Sequence, residues 1–167
     1  MQVASIRRHV LICEMNSSSQ KFLHAYLATL PLPLRQKERA VHYDYFCADE
    51  ENANICAELI KQGEKRATCG LTRWYDLGKE QQIKAGDLMV VQDWNRNPVC
   101  IIEFTNIQKC AFKDVDASFA IEEGEGDKSY HWWRKIHWDF FTRELAEIGQ
   151  SMSEDEMLSL EHFKLVY

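Results

Sequence analysis

Two strand-like runs, AGDLMVVQDW and VCIIEFTNI, constrain this chain more than any other stretch. Each is crowded with Val, Ile, Leu or Phe. Between them NRNP, residues 95–98, is a turn signal, so the pair predicts an antiparallel hairpin. Helical patterns lie on both sides. SSSQKFLHAYLATL opens on N-cap residues and spaces Phe22, Tyr26 and Ala25 or Thr29 helically, until PLPL at residues 31–34 stops it. DEENANICAELIKQG has Asp49 as cap, acids in its first turn, an Ile55–Cys56–Leu59–Ile60 stripe and Gly63 at its end. DVDASFAIEEG reads as a short helix capped by Asp114. GDKSYHWWRKIHWDFFTRELAEIG reads as a longer one capped by Asp127, with Trp133, His137, Phe140 and Phe141 on one face and Arg134 and Trp138 on another. The tail is two-sided. Ser153 and Glu156 have capping-box spacing, yet LSLEHFKLVY looks like a strand whose alternation slips between Leu160 and Phe163, through a bulge or burial on both faces. A few strands with helices between them predict an α+β fold, a small, partly open β-barrel with helices packed outside.

The 167 residues suit one core-bearing domain, and 46% apolar with 28% charged is an ordinary globular balance. No apolar run is long enough to span a bilayer. MQVASIRRHVLICEMN lacks a full apolar signal region and cleavage site, so the expected location is the cytoplasm. Six cysteines without a C-x-x-C pair are expected to be free thiols, mostly buried, with neither disulfides nor a zinc site. His131 and His137 are six apart and do not make a helical metal pair, and EEGEGD lacks the EF-hand pattern. Net charge is −6, and the excess acid lies in residues 84–167, with 16 acidic against 9 basic. That balance argues against a coat for long nucleic acid, which gains affinity from phosphate contacts, and leaves a pocket for one nucleotide or a short strand.

Two stretches can carry chemistry. In GEKRATCG, a helix-ending glycine exposes a turn followed by Lys65, Arg66 and Thr68. A desolvated lysine can take the proton of a threonine nucleophile; the plainer alternative is two solvated cations and a strand residue. In EEGEGD, glycines 124 and 126 interrupt four acids ahead of Trp132, Trp133 and Trp138. A carboxylate against apolar walls can become a proton donor, and the rings can stack on a base; the alternative is a solvated loop before a core helix.

GEKRATCG, GDLMVVQDW, PVCIIEFTNI, FKDVDASFAIEEGEGDKSYHWWRKIHWDFF and the closing F-x-x-V-Y together resemble the ASCH domain family, which is similar to the PUA-like superfamily of RNA-associated barrels. The resemblance covers roughly residues 20–167 and leaves residues 1–19 as an N-terminal extension. It implies a cleft for RNA, a nucleotide or a modified nucleoside, beside the G-x-K-x-x-T turn. One branch resembles an amidohydrolase acting on N(4)-acetylcytidine. Its pattern carries over as Lys65 the base, Thr68 the nucleophile and Glu123 the acid, with no cofactor. In that pattern Asp127 caps and Glu125 holds a basic partner such as Arg134. Another branch resembles a metal-dependent single-strand ribonuclease. There Lys65, Arg73 or Arg134 would hold phosphate, and Glu123 or Asp93 would help a divalent metal or a base. A non-catalytic binding module is the third reading, with Trp74, Tyr75 or Trp94 stacking on the base and Arg66 beside them. Phe46-Cys47 stands where the family often has Phe-Gly.

Overall fold

The computed structural model describes residues 17–167. The elements run α1 (Ser17–Thr29), α2 (Leu32–Arg35), β1 (Val41–Asp44), α3 (Glu50–Lys61), β2 (Ala67–Leu71), α4 (Thr72–Asp76), β3 (Leu88–Gln92) and β4 (Pro98–Ala111). A 3₁₀ turn, α5 (Ala117–Glu123), α6 (Tyr130–Ala146) and β5 (Met157–Leu165) follow. The fold is α+β, as expected. Its five strands lie in the order β1-β3-β4-β5-β2 and do not close into a barrel. β1 pairs in parallel with β3, and the remaining neighbours are antiparallel. The anticipated hairpin is β3–β4, with Val90 opposite Ile101.

Strand alternation sorts the core onto two faces. Met89, Val91, Cys100, Ile102, Phe104 and Phe163 point to one side and pack with Cys56, Ala57 and Ile60 of α3. On the other side, Leu88, Val90 and Ile101 meet Leu23 and Tyr26 of α1, while Ala67, Cys69, Leu71, Leu158 and Leu160 meet α5 and α6. We call these the α3 face and the α6 face. In the tail the strand reading holds. Leu158 to Glu161 are all buried, so both faces are covered, and the bulge falls in the partner strand, where Thr105 interrupts the register between Phe104–Phe163 and Asn106–His162.

Local chemistry explains the boundaries. Asp49 caps α3 by accepting from the Asn52 amide at 3.0 Å, and Gly63 takes φ +74° beyond its end. α1 ends at Thr29, ahead of PLPL as expected, and the prolines also open α2, with Pro31 before it and Pro33 within its first turn, where the missing amide costs nothing. Two boundaries differ from expectation. α5 is capped by Asp116, which accepts from the Phe119 amide at 3.0 Å, and not by Asp114. α6 is capped by Ser129, which accepts from the Trp132 amide at 3.1 Å, while Asp127, two residues earlier, accepts from the Ser129 amide. Asp116→Ala is therefore expected to lose about 1 kcal/mol in chemical denaturation and Asp114→Ala less than about 0.5 kcal/mol. The boundary anticipated after residue 19 falls inside α1. Cys47, at the position the resemblance often gives to Gly, adopts φ +72°, the left-handed region that glycine enters without steric cost. Cys47, Cys56, Cys69, Cys100 and Cys110 are free thiols. Cys13 lies outside the described residues. No described helix is long and apolar enough to cross a membrane.

Candidate functional site

The site is built where α3 hands the chain to β2. The α3 C-terminus turns at Gly63, and Lys65 follows with its amide held by Leu59 O at 3.1 Å. On the opposite wall α5 ends at Gly124, in the left-handed conformation, pressed against the Glu64 backbone. The Arg66 amide donates to Glu122 O at 2.8 Å and ties the two walls together. Glu123 and Glu125, on either side of Gly124, both turn inward and are buried.

Lys65 is fully buried and donates from Nζ to Glu125 Oε1 at 2.6 Å. Its ammonium stands 5.7 Å from the Phe46 ring centre, on the α3 face. Burial pulls its pKa down, but Glu125 and then Glu123 outweigh burial and carry it well above the ordinary lysine range. Lys65 thus carries its proton at neutral pH, which opposes a direct base role. The two carboxyls are pushed apart. Burial pushes Glu125 up, and Lys65 only partly offsets it, so Glu125 ends above the ordinary range. Burial also pushes Glu123 up, yet His137 and Lys65 overcome it and hold Glu123 below. Glu125, and not Glu123, is the carboxyl that retains a proton more readily, the reverse of the expected acid assignment.

Glu123 accepts from Trp133 Nε1 at 2.6 Å, and His137 Nε2 lies 3.0 Å from its Oε2. Cys69 is the third neighbour, its thiol held well above the ordinary range by burial and then by Glu123. Glu123 is therefore on the α6 face. Thr68 is the residue before Cys69 and points to the opposite, α3 face, opposite Glu161 in the β2–β5 register. The structure brings Lys65 close to Glu123 and puts Thr68 on the α3 face that Lys65 reaches, but β2 separates Thr68 from Glu123.

The α3 face of β2 and β5 holds polar groups in an otherwise apolar setting. Thr68, Ser159 and Glu161 are each about 2% exposed. Tyr75 donates its hydroxyl to Glu161 Oε1, and Ser159 Oγ donates to the same oxygen at 3.3 Å. Sequence reasoning did not single out Ser159 or Glu161. The signal was in LSLEHF, where a charged residue interrupts the apolar run of a strand, between Leu160 and Phe163.

The other expected residues sit apart from this row. Arg66 is exposed at the mouth of the turn. Arg73 is engaged by Glu156, at 3.2 Å from Nε and 2.9 Å from Nη2. Trp74 is buried and belongs to the α6-face core, away from this row. Asp93 closes the β3–β4 turn by accepting from the Asn97 amide at 2.8 Å. Trp94 is half-buried, its ring 5.0 Å from Tyr45. Arg134 pairs with Glu154 and stacks over Phe112, so Glu125 holds Lys65 instead of the expected Arg134.

With the geometry in place, comparison defines the class. The family model of the ASCH domain matches residues 42–167. The chain belongs to the ASCH domain family. A crystal structure of an ASCH domain from Lactobacillus crispatus JV V101 is similar, with a TM-score of 0.89 and 47% identity, over 95% of this chain and 99% of that one. Protein EF3133 from Enterococcus faecalis V583 is similar at a TM-score of 0.73 and 27% identity, over 89% and 92% of the two chains. No curated protein matches the chain.

Proposed function

We propose that this ASCH domain binds a nucleoside or nucleotide, free or at the end of a single strand of RNA, against the α3 face of β2 and β5. The observation that carries this reading is the buried polar row of Thr68, Ser159, Glu161 and Tyr75, on the sheet face where Phe46 packs under the Lys65 ammonium. A base edge offers amino donors and carbonyl acceptors together. Glu161 can accept from an amino group, hydroxyls can serve either role, and a nearby ammonium favours a carbonyl or phosphate oxygen. Tyr75 and Ser159 already donate to Glu161, so a ligand would exchange partners with them. Titration calorimetry with cytidine and cytidine monophosphate tests this. Glu161→Gln is expected to weaken binding about 10–100-fold, the loss of a hydrogen bond to a charged group. Equal affinity in wild type and variant rules out this face.

A second reading, hydrolysis of an acylated nucleoside amide such as N(4)-acetylcytidine, is supported by the 2.6 Å Lys65–Glu125 contact. For Thr68 to attack the acyl carbon, its proton needs an acceptor. Lys65 becomes one by passing its own proton to Glu125, whose carboxyl burial already favours the protonated form. The leaving amine then takes a proton from Lys65 or Glu125, and water releases the acetyl group from Thr68. Glu123 has no proton to give in this scheme. Thr68→Ala should abolish acetate release while cytidine binding persists; binding without turnover in the wild type leaves the binding module alone standing.

The ribonuclease reading needs a hard divalent cation, which prefers oxygen ligands. The metal-type donor cluster among the described residues mixes a thiol, a carboxylate and an imidazole, a set unsuited to that cation.

A further inference from the structure

The two buried side-chain atoms without a hydrogen-bond partner among the described residues are Glu123 Oε1 and His137 Nε2, and they belong to neighbouring groups. Both side chains are 0% exposed. Orphaned buried polar atoms are costly, and two together in a core ask for a shared partner. The imidazole explains what kind. His137 Nδ1 lies 2.8 Å from Trp133 O, and a carbonyl can only accept, so Nδ1 carries the ring proton. A ring protonated at Nδ1 alone presents an Nε2 lone pair toward Glu123 Oε2 at 3.0 Å, and the contact lacks the alignment of a hydrogen bond. A ring protonated at both nitrogens makes the same contact the ion pair that lowers the Glu123 pKa. Facing donors at that distance are reconciled by a proton on Nε2 or by a metal ion that both groups ligate.

The third donor is Cys69. Its Sγ, a Glu123 oxygen and a His137 nitrogen lie within 4.8 Å of one another. Bonds of about 2.0–2.3 Å to a tetrahedral ion put ligand atoms a little under 4 Å apart, so small side-chain adjustments close the set. A backbone carbonyl on Nδ1 is also the usual support for a metal-bound imidazole, fixing its tautomer and orientation. The charge balance is favourable. A thiolate at Cys69 with Glu123 and Glu125 gives three negative charges, and Lys65 with a divalent ion gives three positive ones.

We propose that Cys69, Glu123 and His137 form a binding site for a thiophilic divalent cation of the zinc type. Soft sulfur and borderline nitrogen select zinc, or cobalt as its spectroscopic substitute, over magnesium or calcium. The donors come from β2, the end of α5 and the middle of α6, so an ion would join the strand to both helices. On binding, the Cys69 S–H bond gives way to a sulfur–metal bond and the proton leaves to solvent. The competing occupant is a second proton on His137, which would make a buried imidazolium–carboxylate pair.

The test uses the full chain, stripped with chelator and titrated with Co²⁺. One equivalent is expected to produce a thiolate-to-cobalt charge-transfer band that Zn²⁺ displaces, and Zn²⁺ is expected to raise the melting temperature. Cys69→Ser, nearly the same size and checked for native circular dichroism, should lose the band. His137→Gln should weaken Co²⁺ binding at least tenfold. No band in folded wild-type protein overturns the site and leaves the proton as the occupant. A band of equal strength in Cys69→Ser overturns it as well, because another thiol would then be the ligand.

Discussion

Replacing Lys65 with Met is expected to remove about 3–5 kcal/mol of folding stability, read as a lowered midpoint in urea at unchanged slope. Lys65 is buried with its ammonium against Glu125, and its field also reaches Glu123. Methionine fills a similar volume, so the loss does not come from a cavity. It comes from two buried carboxyls stripped of the cation that offsets their desolvation. The companion Lys65→Met/Glu125→Gln should recover a large part of the loss, since it removes the uncompensated charge along with its partner. Recovery would locate the cost in the ion pair. No recovery would place it in the packing of the lysine stem against Phe46.

Gly124→Ala should cost about 3 kcal/mol or more, measured the same way. Two penalties combine. Gly124 has φ +70°, where an L side chain costs about 1–2 kcal/mol. The added Cβ would also overlap Glu64 O, and would lie 2.8 Å from Glu64 C. Neither neighbour is a flexible side chain, so the α5 end must retreat from the Glu64–Lys65 backbone. That motion carries Glu123 and Glu125 away from Lys65, and ligand affinity on the α3 face should fall along with stability. A substitution that left both unchanged would mean that this close approach does not position the site.

Much of the fold was legible because the signals were local. α3 announced itself through Asp49, its apolar stripe and Gly63, and the β3–β4 hairpin through two β-branched runs about a turn. The aromatic face of α6 was likewise plain from the spacing of Trp133, His137, Phe140 and Phe141. The caps of α5 and α6 were misplaced by two residues because Asp114 and Asp116, like Asp127 and Ser129, are equally good capping chemistry. Only backbone geometry selects between them. In the site, Lys65, Thr68 and Glu123 were visible as residues but not as an arrangement, because alternation along β2 sends Thr68 and Cys69 to opposite faces. Arg73 and Arg134 looked available for phosphate until Glu156 and Glu154, from the segment before β5, claimed them. Spacing could not reveal Cys69, Glu123 and His137 as a group either. They sit on three elements, and metal patterns in sequence are read within one loop or one helix.

The sheet order has a consequence for how the chain is made. β5 is its last strand, yet it lies between β4 and β2. Until Met157–Leu165 leaves the ribosome, β2 lacks the strand it pairs with among the described residues, and the wall carrying Thr68 and the wall carrying Glu161 are not yet one surface. Synthesis runs from the N-terminus while pairing here waits for β5, so this face of the sheet is completed only after that strand has emerged. A chain stopped short of β5 would already contain Lys65, Thr68, Glu123 and Glu125, and it would still lack the strand that turns them into a site.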